Sequence, residues 1–364
     1  MKAIFAMLLA MLLGAGSAGA DLSAAPGNAL GLGVLREMCD GQHNCLVSPA
    51  SLTEALAMAA QGAGGDTEAE LLSAMGIAGM SELPAPGEAL KVANAAFVKD
   101  DLPVKDDYMN ALKERFGAER FGLDDADRVN AWVDQHTNHL IDHLVDQIDP
   151  SVRLMLVNAV AMDARWAHPF EPSATYAEDF QTPEGAVQAD FMHNTFDMPY
   201  GESELGQYVR LDYQDGGLYM LLFLPREGKL LEAVQALAAD CAGCFKGMEE
   251  QPVMLSLPKM DLSAGASLAE PLKTLGVKSA FEQGADFTGI SDEPLQLSDV
   301  LQKVRVQVDE EGTRAAAVTA MIMGNGFIMN PAKMNLNRPF LFLIADEATG
   351  AIAFAGAVCD PTQK

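Results

Sequence analysis

The chain has 364 residues, 49% of them hydrophobic, enough to bury a sizeable core. Its 51 Asp and Glu against 24 Lys and Arg leave a formal charge of −27, which excludes the basic face needed for nucleic acid or an anionic membrane surface. Modest Pro and Gly content excludes a fibrous or disordered chain.

In chain order, Lys2 precedes an apolar run from Ala3 to Leu13 and then Ala18-Gly19-Ala20 before Asp21. That is the pattern of a cleaved signal peptide over residues 1–20, with export to the periplasm or medium and a mature chain starting at Asp21. The run is too short to span a membrane. Export would place the five cysteines in an oxidising compartment. Cys39 and Cys45 flank a short polar loop and could pair; Cys241 and Cys244 form an isolated C-x-x-C; Cys359 is left over. A disulfide or two without a further role is the expectation.

Ser51 and Glu54 form an S-x-x-E capping box for a helix whose apolar face carries Leu52, Ala55, Leu56 and Ala59. Gly62 to Gly65 ends it, and Asp66-Thr67 opens the next helix, toward Met75. A third helix is predicted over Asp127 to Ile148, with Trp132, Val133, Leu140, Ile141, Leu144 and Val145 on one face. Strands follow. Leu154 to Val160 reads as a strand buried on both faces. Leu218 to Leu224, Val253 to Leu257 and Val304 to Val308 read as further strands, and Phe340 to Ile344 with Ala351 to Ala357 as a strand pair. Helices before strands indicate an α+β fold. With neither repeat nor linker, one domain over residues 21–364 is expected.

Enzymatic motifs are missing: there is no G-x-S-x-G, H-E-x-x-H, Walker A or G-x-G-x-x-G. His136, His139 and His143 would share a stripe of the third helix and could hold Zn²⁺, but no fourth ligand is signalled, so a solvated polar edge is the preferred reading. No cofactor is called for.

The informative segment is Val308 to Ala320. Strand alternation runs to Val308; Gly312 breaks it; then Thr313, Ala315, Ala316, Ala317 and Thr319 make a run of small residues. Read with period two, Thr313, Ala315, Ala317 and Thr319 share a face small enough to enter a sheet, while Arg314 and Ala316 lie on the other. An Ala-rich helix is the competing reading.

Here the sequence resembles a serpin. Glu310-Glu311-Gly312-Thr313-x-Ala315-Ala316-Ala317-x-Thr319 is similar to the hinge of that family's inhibitory members. Asn44-x-x-x-Ser48-Pro49-x-Ser51-Leu52, Asn130-x-Trp132-Val133, Leu156-Val157-Asn158-Ala159 with Trp166 and Phe170, Leu257-Pro258-Lys259, Asn337-Arg338-Pro339-Phe340 and Asp360-Pro361 extend the resemblance over residues 44–361. It implies a large, mostly antiparallel sheet with further sheets, eight or nine helices, and an exposed reactive-centre loop at about 310–333. It also implies suicide inhibition of a serine protease by insertion of the cut loop. The alternative is a non-inhibitory binding or chaperone protein on the same fold.

Family spacing brackets the scissile bond at Gly326, Phe327, Ile328 or Met329, which suits a chymotrypsin- or subtilisin-like serine protease with an apolar primary pocket, or a cysteine protease. A monomer is expected, and the acidity argues against heparin. The sheet-opening region implied by the resemblance contains Ser48, Ser51, Asn158, Trp166 and Gln302. Gln302 stands where relatives commonly have a His bonded to the Asn matching Asn158; an amide can also donate there.

Overall fold

The computed structural model describes residues 21–83, 91–162, 164–214, 217–313 and 330–363. The order is α1 (Asn28–Met38), β1 (Cys45–Val47), α2 (Pro49–Ala60), α3 (Gly65–Met75), β2 (Lys91–Val98), α4 (Asp106–Phe116), β3 (Glu119–Gly122), α5 (Ala126–His136), β4 (Leu154–Ala161), β5 (Ala164–Arg165), β6 (Thr175–Thr182), β7 (Gly185–Glu202), β8 (Gly206–Asp212) and β9 (Leu218–Pro225). Then come α6 (Leu230–Ala239), α7 (Cys241–Cys244), β10 (Glu249–Pro258), β11 (Met260–Ser267), α8 (Ala269–Thr274), β12 (Leu301–Val308), β13 (Gly312–Thr313), β14 (Ala332–Asn335), β15 (Phe340–Asp346) and β16 (Ile352–Val358). Helices dominate early and strands later, so the architecture is α+β, with eight α-helices among the described residues.

Nine strands form one sheet in the order β1-β16-β15-β9-β8-β7-β10-β14, with β6 on β7, and only β10–β14 is parallel. Two smaller sheets, β3-β2-β4 and β11-β12-β13-β5, lie apart except that β5 follows β4 closely in the chain. Leu343, Tyr219 and Phe223 on one face of the large sheet bury against α1, α2 and α6. Leu222, Phe342 and Ile344 on the other meet Leu262, Val304 and Val306 of β11 and β12. α5 covers β2 and β4, with the Trp132 ring edge-on to Phe97 at 6.1 Å.

The predicted strands all form, and three local expectations are corrected. α2 starts one turn earlier than its expected box: Ser48, not Ser51, is the N-cap, its hydroxyl accepting the Ser51 N–H at 3.2 Å, with Pro49 in the first turn. The third helix ends at His136 rather than Ile148. Thr137 Oγ1 donates to Val133 O and accepts the Ile141 N–H, and Asn138 and His139 take left-handed backbone angles (φ 51° and 61°) that no helix continues through. Leu140, Ile141 and Val145 are still buried, in an irregular segment, so the apolar period outlasts the helix. β4 is not covered on both faces throughout: residues 154–156 are only half-buried, because among the described residues β4 pairs with β2 alone.

Candidate functional site

The interest of the fold lies between β4 and β12. Alternation in β12 buries Gln302, Val304, Val306 and Val308. The strand then turns back on itself. Asp309 N–H donates to Gly312 O at 3.0 Å, and Asp309 Oδ1 accepts from the N–H groups of Glu311 and Gly312 at 2.9 and 3.3 Å. The turn sets β13 between β12 and β5, with Thr313 opposite Val308 and Ala164, and Gly312 opposite Arg165. A Cβ on Gly312 would lie 2.2 Å from Ala164 O and 2.7 Å from Arg165 Cα, so the approach admits only glycine.

Thr313 is 4% exposed, and its hydroxyl is 2.6 Å from Tyr213 Oη. Tyr213 stacks on Trp166 with ring centres 4.5 Å apart. Trp166 in turn holds the turn: Nε1 donates to Asp309 O at 3.0 Å and its backbone N–H to Glu311 O at 2.8 Å. Phe170 N–H donates to Glu310 O, and Lys259 Nζ pairs with Glu310 Oε2 at 2.6 Å. Burial, the largest single effect, raises the Glu310 carboxyl, but the Lys259 hydrogen bond, a backbone hydrogen bond, one from Thr175 and the Lys259 charge together hold it below the ordinary value. Glu310, Glu311, Gly312, Thr313 and Trp166 are thus in one place. Ala315, Ala316, Ala317 and Thr319, and the bait candidates Gly326, Phe327, Ile328 and Met329, lie outside the described residues.

Lower in the gap, Ser48, Ser51, Asn158 and Gln302 surround a small space, but the expected link is not made. Gln302 turns its amide to the α2 start: Oε1 accepts the Ser48 N–H at 2.9 Å and Nε2 donates to Ser48 O at 3.0 Å. Ser48 Oγ donates to Ala353 O at 2.6 Å. Asn158 Nδ2 donates instead to Asn94 Oδ1 at 2.7 Å, and Asn158 Oδ1 is buried without a partner. The flat amide satisfies both backbone groups of Ser48 at once, and its remaining N–H and lone pair make no bond to Asn158. Below Gln302 the space widens to a cavity of about 520 Å³ between α2, β4 and residues 294–302, lined by Ser51, Ala55, Met155, Val157, Leu295 and Leu301.

Sequence reasoning missed Asn94 and Tyr213. Asn94 had a signal, a single polar residue in the run Val92 to Val98; Tyr213 had none. The family model for serpins, serine protease inhibitors, matches residues 26–361. The chain belongs to the serpin family. It is 30% identical to the serine proteinase inhibitor A3K of Cavia porcellus, over 88% of this chain and 84% of that one. Among solved structures it resembles tengpin, a thermophilic serpin in its native state, with a TM-score of 0.83, 29% identity and coverage of 91% and 92% of the two chains. It also resembles a thyroxine-binding globulin in complex with thyroxine, with a TM-score of 0.81, 27% identity and coverage of 92% and 98%.

The histidine stripe does not exist in this serpin, because the helix stops at its first member. His136 stacks on Trp132 and its Nδ1 lies 2.8 Å from Trp132 O. His139 faces Asp134 and His143 faces Asp146, each at 2.7 Å. Among the described residues no three His, Cys, Asp or Glu side chains form a metal-holding group. All five cysteines are free thiols in this structure.

Proposed function

We propose that this serpin is an exported inhibitor of serine endopeptidases that acts by suicide trapping, and that it is not itself an enzyme. The observation carrying this reading is Gly312 and Thr313 seated between β12 and β5 above a sheet that stays open below. The hinge has begun a strand that the chain beyond Thr313 is composed to finish. In the period-two reading, Ala315, Ala317 and Thr319 share the face with Thr313 and ask for little room.

A target protease attacks the loop and becomes acylated through its serine on the residue before the cut. The released strand then completes the sheet between β4 and β12. Roughly a dozen new backbone hydrogen bonds at ~0.5–1.5 kcal/mol each give on the order of 10 kcal/mol, enough to drag the protease and distort its triad before water releases it. Residues 1–20 are read as its signal peptide, 21–364 as one domain, and about 310–333 as the loop. Phe327 is the preferred residue before the cut, since a deep apolar pocket gains most from its ring. A chymotrypsin- or subtilisin-like protease is the favoured target, and a monomer without heparin the favoured form.

Incubation with a panel of serine proteases should give an SDS-stable complex with one of them. The small C-terminal fragment from the denatured complex should start at Ile328. A start at Phe327, Met329 or Asn330 would move the cut among Gly326, Ile328 and Met329; a start beyond Lys333 would overturn the target class. The likeness to a thyroxine-binding globulin supports a second reading, a binding protein on the same fold. Plain cleavage without complex by every protease would favour it.

A further inference from the structure

Cys39 caps the C-terminus of α1 and Cys45 opens β1, so the two thiols close a five-residue loop. That loop is already folded. Asp40 Oδ1 accepts the N–H groups of Gln42 and His43 at 2.8 and 2.9 Å, Oδ2 lies 2.7 Å from His43 Nδ1, and Gly41 supplies the left-handed turn (φ 74°). Both thiols are buried and are hydrogen-bond partners of each other, and the Gly41 N–H meets Cys39 Sγ. Cys359 lies near both sulfurs, fully buried.

We propose that Cys39 and Cys45 form a reversible disulfide, entered by attack of Cys39 on a small disulfide oxidant such as oxidised glutathione. The thiols differ in the way such a step needs. The hydrogen bond shared with Cys45, helped by Gly41 and opposed by burial and the Asp40 charge, lowers the Cys39 thiol to about 7. Cys45, which shares that bond and is more buried, is raised far above its ordinary value. Burial pushes Cys359 to about 12. Cys39, the less buried of the two and the one held lower, is therefore assigned the first attack.

The step balances as two exchanges. The Cys39 thiolate attacks one sulfur of the oxidant, forms the mixed disulfide and expels one glutathione thiolate. That thiolate takes the Cys45 proton. The Cys45 thiolate then attacks Cys39 Sγ and expels the second glutathione. Two electrons leave the protein pair and reduce one disulfide to two thiols.

The bridge would have a structural consequence at the chain's other end. Asn44, inside the loop, accepts the N–H groups of Cys359 and Asp360 at 2.7 and 2.9 Å and donates to Asp360 O at 2.7 Å. Closing the loop fixes α1, the edge strand β1 and this clamp together. In an oxidising compartment the bridged form would be the resting one.

The full-length folded protein is treated with oxidised glutathione, blocked with N-ethylmaleimide in urea and digested with trypsin. Residues 37–91 form one tryptic peptide holding both cysteines, while Cys359 falls in 334–364. The 37–91 peptide should be unlabelled and about 2 Da lighter than its reduced form. The Cys45→Ser chain should stop at the mixed disulfide, with one glutathione on Cys39. Oxidation should raise the Tm by on the order of 3 °C, the effect of a short closed loop in a chain of this size. Two maleimide labels on 37–91 after oxidation, a cross-link of 37–91 to 334–364, or glutathione in Cys45→Ser on Cys359 instead of Cys39 would each overturn the proposal.

Discussion

Tyr213 and Thr313, a hundred residues apart, share a buried hydrogen bond of 2.6 Å. It ties Thr313 of β13 to the Trp166 stack, and through Trp166 to the carbonyls of Asp309 and Glu311. The turn and β13 are thus held by side-chain as well as backbone hydrogen bonds.

Tyr213→Phe leaves the Thr313 hydroxyl buried and unpaired, a cost of about 1–3 kcal/mol. We expect a lower Tm. Adding Thr313→Val removes the orphan and should recover most of the loss. A double-mutant cycle on thermal unfolding checks this; a purely additive double mutant would show that the pair is not coupled.

Thr313→Arg should convert the protein from trap to substrate. The side chain sits 4% exposed in the sheet, where an unpaired guanidinium is costly. Ala316→Arg, on the outward face of the period-two reading, should be much milder. Stable-complex yield on a denaturing gel measures both, and equal losses would reject the alternation.

Gln302→Ala strips the buried Ser48 N–H of its partner, while Ser48 O keeps the Leu52 N–H at 3.0 Å. With one orphaned donor, it should lower stability by about 1–3 kcal/mol. Gln302→His keeps at most one of the two bonds and should fall between. Chemical denaturation of the three proteins orders them.

Stability should depend on pH through Glu54. Burial pushes its carboxyl up to about 7, only partly offset by Arg115 and by a hydrogen bond with Asn94. The folded value is therefore the higher one. Below about pH 4 the group is protonated folded or unfolded; as pH rises toward 7 the unfolded chain ionises first, and up to on the order of 3 kcal/mol of stability is lost. Above about 7 the loss is constant. Subtracting the profile of Glu54→Gln from that of the parent protein should isolate this fall, and parallel profiles would refute it.

Limited proteolysis between Thr319 and Pro331 should raise the Tm by on the order of 10–15 °C if the released strand enters the gap, since among the described residues β4 and, short of Val308, β12 leave their facing edges unpaired. Differential scanning calorimetry before and after cleavage decides. An unchanged Tm would favour the binding-protein reading.

Much of the fold was legible because short apolar runs bounded by turn residues, such as Leu218 to Leu224 before Pro225 and Phe340 to Ile344 after Pro339, read as buried strands. The helix ends were less so. Ser48 and Ser51 both suit an N-cap, and the choice falls to Ser48 through Pro49 and a bond to Ala353, 305 residues away. Beyond His136, burial of Ile141 and Val145 against β4 preserves a helical spacing in a segment that is not helical. Gly312 and Thr313 were readable from composition. The partners of Gln302 and Asn158 were not, because which amide faces which backbone depends on how far apart two strands stand.

The distance between β4 and β12 also sets a kinetic order. Among the described residues β4 pairs only with β2, and β12 short of Val308 only with β11, so each presents a row of backbone donors and acceptors toward the cavity. Any extended segment of small residues satisfies those rows, whichever molecule carries it. Filling by the chain's own hinge is first order and indifferent to concentration. Filling by a neighbour's is second order. Warming a dilute and a concentrated sample side by side therefore separates the two fates of one opening, and the acidic surface, at −27 per chain, slows the second by repulsion.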